Sequence, residues 1–165
     1  MSESMLWEYG LDRSFGEEYF KYPFDGKIYK RVAFEIARGC PYNCNYCGNS
    51  ALMGANKGLG RFVRVRPMRS IKEGLTELVK KFGIEFINLR DECFLSHPVK
   101  WLKEFCDWYG KEIRKPFIVQ SRPEIVTEER ISHLKKMNAP FFQVSMGVES
   151  GSKRILYKVL NRKTK

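Results

Sequence analysis

Residues 32–47 read Val32-Ala33-Phe34-Glu35-Ile36-Ala37-Arg38-Gly39-Cys40-Pro41-Tyr42-Asn43-Cys44-Asn45-Tyr46-Cys47, a run of apolar and aromatic residues that opens straight into a loop carrying three thiols. The run 32–36 has the length and character of a buried strand. Runs of the same kind recur at 84–89, 117–120 and 141–146. Between them the apolar residues change period. Ile71, Leu75, Leu78, Val79 and Phe82 recur at helical spacing, and so do Trp101, Leu102, Phe105 and Trp108 behind Pro98, a residue suited to a first helical turn. Thr127 is placed to cap a third helix that carries Glu128 and Glu129 in its first turn. Gly151-Ser152 opens a fourth, with Ile155, Leu156, Val159 and Leu160 inward. Strands alternating with helices of this length pair in parallel through right-handed crossovers, which predicts an α/β fold of four strand–helix units.

Ligands of such sheets bind beyond the carboxyl ends of the strands. The unusual polar residues all fall there: Arg38 to Cys47 after the first strand, Arg90-Asp91-Glu92-Cys93 after the second, Ser121-Arg122 after the third, and Gly147-Val148-Glu149-Ser150 after the fourth. They are expected to converge on one rim.

The chain has 165 residues, 43% hydrophobic and 30% charged, a composition that suits one folded domain and excludes a disordered chain. No run approaches the roughly 20 apolar residues of a membrane span, and Glu3, Glu8 and Asp12 stand where a secretory leader carries positive charge. The expectation is a cytoplasmic protein without a membrane partner. Residues 1–30, rich in Tyr, Phe and Glu without a clear period, read as a leading arm that packs on a main domain of residues 31–165. A formal charge of +11 favours anionic partners. It concentrates at Arg61, Arg64, Arg66, Arg69 and Lys72, and again at Lys153, Arg154, Lys158, Arg162, Lys163 and Lys165. Each run is read as a solvated face, with RNA or phosphate binding as the alternative.

Of five cysteines, Cys40, Cys44 and Cys47 are spaced too tightly for a disulfide framework, so metal binding in a reducing compartment is the natural reading. A ferredoxin-type cluster uses four cysteines, and a structural zinc site is closed by four ligands. Three thiols instead suit a 4Fe–4S cluster with one iron open to a substrate or cofactor. The competing reading is a structural zinc closed by Cys93 or His97. Cys93 otherwise reads as a buried, inert cysteine, and His97 and His133 lack partners for catalysis.

The C-x3-C-x-aromatic-C spacing, with Tyr46 as the aromatic, resembles the signature of the radical S-adenosylmethionine (radical SAM) superfamily. The loop Arg38-Gly39-Cys40-Pro41-Tyr42-Asn43-Cys44 and the later Gly147-Val148-Glu149-Ser150-Gly151-Ser152, with Ile155-Leu156, are similar to the branch containing cobalamin-dependent radical enzymes and methylthiotransferases. The resemblance implies a 4Fe–4S cluster on Cys40, Cys44 and Cys47, with S-adenosylmethionine chelated at the open iron and reductively cleaved to methionine and a 5′-deoxyadenosyl radical. It also implies that Tyr46 lies against the adenine, that Asp91 and Glu92 accept from the methionyl ammonium in place of a Gly-Gly-Glu motif, and that Arg122 binds the methionyl carboxylate. Glu149 and Ser150 fall to the ribose hydroxyls. The family core has six strand–helix units, so four imply a partial (βα) barrel truncated relative to it. Expected partners are an electron donor such as flavodoxin or ferredoxin and a second chain completing the barrel. The substrate is not legible, RNA being one class that the charge allows. Two other functions compete: a non-catalytic cluster-binding remnant or subunit, and a basic zinc-stabilised RNA-binding module.

Overall fold

The computed structural model describes residues 20–162, so most of the expected arm and the last three residues lie outside the described residues. Lys21–Phe24 (β1) turns through Asp25-Gly26 into Lys27–Phe34 (β2), its antiparallel partner. Phe86–Leu89 (β5), Phe117–Ser121 (β6) and Phe142–Met146 (β7) then extend the sheet in the order β1-β2-β5-β6-β7, with β2, β5, β6 and β7 parallel. Two two-residue strands, Ala37–Arg38 (β3) and Arg64–Val65 (β4), pair separately after β2. The helices are Gly48–Ala55 (α1), Met68–Phe82 (α2), Val99–Glu112 (α3) and Glu128–Lys135 (α4). The curled parallel sheet makes a half-barrel, a partial (βα) barrel.

The register explains which side chains are core. Phe34, Leu89, Val119 and Val144 are hydrogen-bonding neighbours in one row across the four parallel strands. With Val32, Ile87 and Phe117 they form the sheet's contribution to the hydrophobic core. Ile71, Leu75 and Leu78 of α2 and Leu102, Phe105, Cys106 and Tyr109 of α3 are buried in the same core. Each large apolar side chain buried there contributes about 1.5–3 kcal/mol. At the amino end of the strands Phe24 stacks on Phe141 at 5.1 Å and lies 5.6 Å from Phe86, so the β1–β2 turn packs onto the sheet.

The expected fourth helix is corrected. Ile155–Val159 is a single π-helical turn with no buried residue, and Val159 is 51% exposed rather than inward. The chain is diverted because the Val159 and Leu160 carbonyls accept from the side chain and backbone of Asn45, each at 2.9 Å, instead of from a following helical turn. Asn161, at φ 49, then ends the turn.

One buried carboxylate sets how the chain leaves β2. Asp91 Oδ1 accepts from the backbone amides of Ile36 and Ala37, both at 3.0 Å, and Oδ2 lies 2.6 Å from His97 Nε2. His97 stacks on Trp101 with centroids 4.1 Å apart. Removing the carboxylate orphans two buried amides and an imidazole, and each such group costs about 1–3 kcal/mol. Asp91→Ala is therefore expected to lower the unfolding free energy by about 3 kcal/mol or more, and Asp91→Asn by less, as read by urea denaturation followed by circular dichroism.

Candidate functional site

The carboxyl ends of the parallel strands surround a cleft of about 360 Å³. Cys40, Cys44 and Cys47 line it from the loop after β2, Glu92 from the end of β5, Arg122 from the end of β6, and Glu149 from the loop after β7. The cysteine loop begins at Gly39, whose φ of 83° suits glycine and where a Cβ would stand 2.5 Å from the Phe62 carbonyl oxygen. The loop then folds on itself: Ser50 Oγ donates to the Cys44 carbonyl at 2.6 Å, and the Cys47 amide donates to the same carbonyl at 3.1 Å. Cys47 is the N-cap residue of α1. From outside, Asn161 Nδ2 donates to the Asn43 carbonyl at 2.8 Å, so the chain after the π turn straps the loop down.

Burial pushes the Cys40 thiol up to about 11; the Tyr42 backbone amide opposes this, while Cys93, Glu92 and Cys44 add to it. Metal binding there displaces a proton. Among the described residues no three His, Cys, Asp or Glu side chains are gathered so as to hold a single metal ion.

The sequence profile of the Radical SAM superfamily matches residues 34–165. This chain belongs to the radical SAM superfamily. Membership implies a 4Fe–4S cluster and S-adenosylmethionine as its cofactors. It is 28% identical over 151 residues to an anaerobic magnesium-protoporphyrin IX monomethyl ester cyclase of Rubrivivax gelatinosus, an alignment covering 90% of this chain and 25% of the relative. A cyclase of the same description from Synechocystis sp. is 30% identical over 105 residues, 62% of this chain and 19% of the relative. The chain thus spans a quarter or less of the length of the curated relatives it matches.

Not every residue expected at the radical SAM site is in the cleft. Tyr46, Glu92, Arg122 and Glu149 line it together with the three cysteines. Arg122 is 8% exposed, lies 3.9 Å over the Tyr42 ring and pairs with Glu124 at 3.2 Å. Asp91 is not among the lining residues; both its oxygens are engaged beneath the loop, with Ile36, Ala37 and His97. Ser150 is also outside the lining, and its Oγ accepts from the Ser152 amide at 3.1 Å while Ser152 Oγ accepts from the Ile155 amide, the first of the π turn, at 3.5 Å. Cys93 is 4% exposed, and burial pushes its thiol up.

Two residues that sequence reasoning passed over join the cleft to its surroundings. Arg162, read as one cation of a solvated basic run, is 3% exposed and lines the cleft. Glu124 answers it: burial raises its carboxyl, but hydrogen bonds from Arg162, its own backbone amide and Arg122 outweigh that and leave the pKa lowered. No helix among the described residues is long and apolar enough to cross a membrane. Gly39→Ala, which meets both the left-handed φ and the Phe62 carbonyl, is expected to cost more than about 1 kcal/mol in chemical denaturation and to lower the iron taken up on reconstitution.

Proposed function

We propose that this chain provides the cofactor-cleaving centre of a radical SAM enzyme: Cys40, Cys44 and Cys47 bind three irons of a 4Fe–4S cluster, and S-adenosylmethionine binds the fourth. The observation that carries the reading is the cleft itself, which the three thiols line together with Tyr46, Glu92, Arg122 and Glu149. When bound, the reduced cluster supplies the electron that splits the sulfonium carbon–sulfur bond to methionine and a 5′-deoxyadenosyl radical, for hydrogen abstraction from substrate.

The protein's share is binding and orientation. Arg122 binds the methionyl carboxylate, as a guanidinium does in two-point fashion, and its stacking on Tyr42 fixes its plane. Glu92, exposed at the rim after β5, accepts from the methionyl ammonium. Glu149 accepts from the ribose hydroxyls, and Tyr46 lies against the adenine. Asp91 serves this site from beneath, by fixing the start of the cysteine loop.

The proposal extends to partners. An electron donor such as flavodoxin or ferredoxin supplies the reducing equivalent in the cytoplasm, where thiols stay reduced. Further polypeptide, in a second chain or in the same one, completes the barrel along β7, which among the described residues is hydrogen-bonded on one side only, an edge that proteins normally cover.

Anaerobic reconstitution of the wild-type chain and of Cys44→Ala tests the reading. The wild type is expected to carry about four irons per chain and, with dithionite, to release methionine and 5′-deoxyadenosine from S-adenosylmethionine. Cys44→Ala is expected to lose most of the iron and all of the release. A variant retaining both would refute the assignment of the thiols.

A further inference from the structure

We propose that a groove beside the cofactor cleft, lined by α1 and the turn that follows it, is the substrate site, and that it takes an amphiphilic monoanion: an apolar body carrying one carboxylate. This rests on the reading of the cleft given above, because the substrate of a radical must lie next to the cofactor that generates it.

The groove measures about 410 Å³, a volume that suits a small molecule. Asn49 and Glu92 line both it and the cleft, so the two adjoin. Asn49 Nδ2 lies 3.8 Å from Cys47 Sγ, which sets this shared wall against the thiols. The apolar lining comes from Leu52 and Ala55 of α1, from Leu59 and from Phe62. Leu52 is 61% exposed and Leu59 79%. One exposed leucine is ordinary, whereas several gathered on one concavity mark a binding surface. Helix α1 sharpens the point: it buries no residue, although a short helix depends on packing an apolar face. Leu59 is presented by a defined turn. Gly58 and Gly60 flank it at φ 83° and 106°, its amide donates to the Asn56 carbonyl at 3.0 Å, and Asn56 Nδ2 donates to the Gly60 carbonyl at 3.2 Å.

Charge selects the occupant. Arg38 and Arg64 are directly opposed across β3 and β4, so their side chains leave the ribbon on one face, and both line the groove. Glu35 answers Arg38 at 2.6 Å, and Glu92 falls to the methionyl ammonium. Arg64 has no ion pair among the described residues. One guanidinium is left over beside an apolar surface, which matches a single carboxylate. A polyanion such as RNA would meet the carboxylates of Glu35 and Glu92 as well.

The test uses 1-pyrenebutyrate, an apolar ring system with one carboxylate, and 1-pyrenebutanol as its uncharged counterpart. Each is titrated calorimetrically into the anaerobically reconstituted chain, with and without saturating S-adenosylmethionine. The wild type is expected to bind the butyrate about tenfold or more tighter than the butanol, as for a hydrogen bond between charged groups. Arg64→Gln is expected to erase that preference, and Leu59→Ser to weaken both probes, with the iron content of both variants at the wild-type level. Failure of the wild type to bind the butyrate, equal affinity for the two probes, or a preference that survives Arg64→Gln would overturn the proposal. Displacement of the butyrate by S-adenosylmethionine would place it in the cleft, and displacement by oligouridylate would give the groove to a nucleic acid; either result overturns it too. If Arg64→Gln does not fold, unchanged binding of both probes by Leu59→Ser overturns it. A wild-type cluster whose electron paramagnetic resonance spectrum is indifferent to S-adenosylmethionine would instead refute the reading of the cleft.

Discussion

Parallel pairing of β2, β5, β6 and β7 is the constraint from which the rest follows. Hydrogen bonding aligns Phe34, Leu89, Val119 and Val144 in one row, so the four strands end at nearly one level. Three residues beyond that row, on β5, β6 and β7, lie Glu92, Arg122 and Gly147, all of which line the cleft. Residues far apart in the chain thereby reach one cleft without any long-range contact of their own having to specify it. The outlay in apolar packing is made on the other side, where α2 and α3 bury the alternate strand residues.

Above that rim the chain is irregular, and irregular backbone needs other anchors. Two buried ionic devices supply them. Asp91 holds the exit of β2 through the Ile36 and Ala37 amides, and Arg162 holds the far side through Tyr46, Glu149 and Glu124. The cysteine loop is pinned between them, with Gly39 at one end and α1 at the other. Most of the positive charge takes no part in this. Arg69, for instance, pairs with Glu73 on the outer surface of α2 at 2.7 Å, a contact worth little. The same residue type is solvated in one place and structural in another, and burial decides which.

The difference explains what was legible in the sequence. Apolar period located the parallel strands and helices α2 and α3 within a few residues, because burial of a repeated face writes itself into composition, and α4 was legible from its Thr127 cap and acidic first turn. The cysteine spacing pointed to the cleft because metal ligation restricts residue type. Helix α1 buries no residue and contains Gly48 and Gly54, so it leaves no stripe to read. The β1–β2 hairpin did carry a signal, Asp25-Gly26 between alternating aromatic residues, that was absorbed into the arm. The fourth helix was misread because its apolar spacing is genuine, while hydrogen bonds from Asn45, more than a hundred residues earlier, take its terminal carbonyls. Arg162 and Asp91 were assigned the wrong surroundings for one reason: local sequence shows a charge, and only the fold shows its partners.

The account depends on a cluster with three thiolate-ligated irons and one iron that S-adenosylmethionine chelates. Mössbauer spectroscopy of the chain reconstituted with iron-57, with and without S-adenosylmethionine, tests this most directly. The expected result is a 4Fe–4S signal in which one iron of the four changes its parameters on adding S-adenosylmethionine while the other three keep theirs. Four irons that respond alike, or zinc in place of iron, would contradict it.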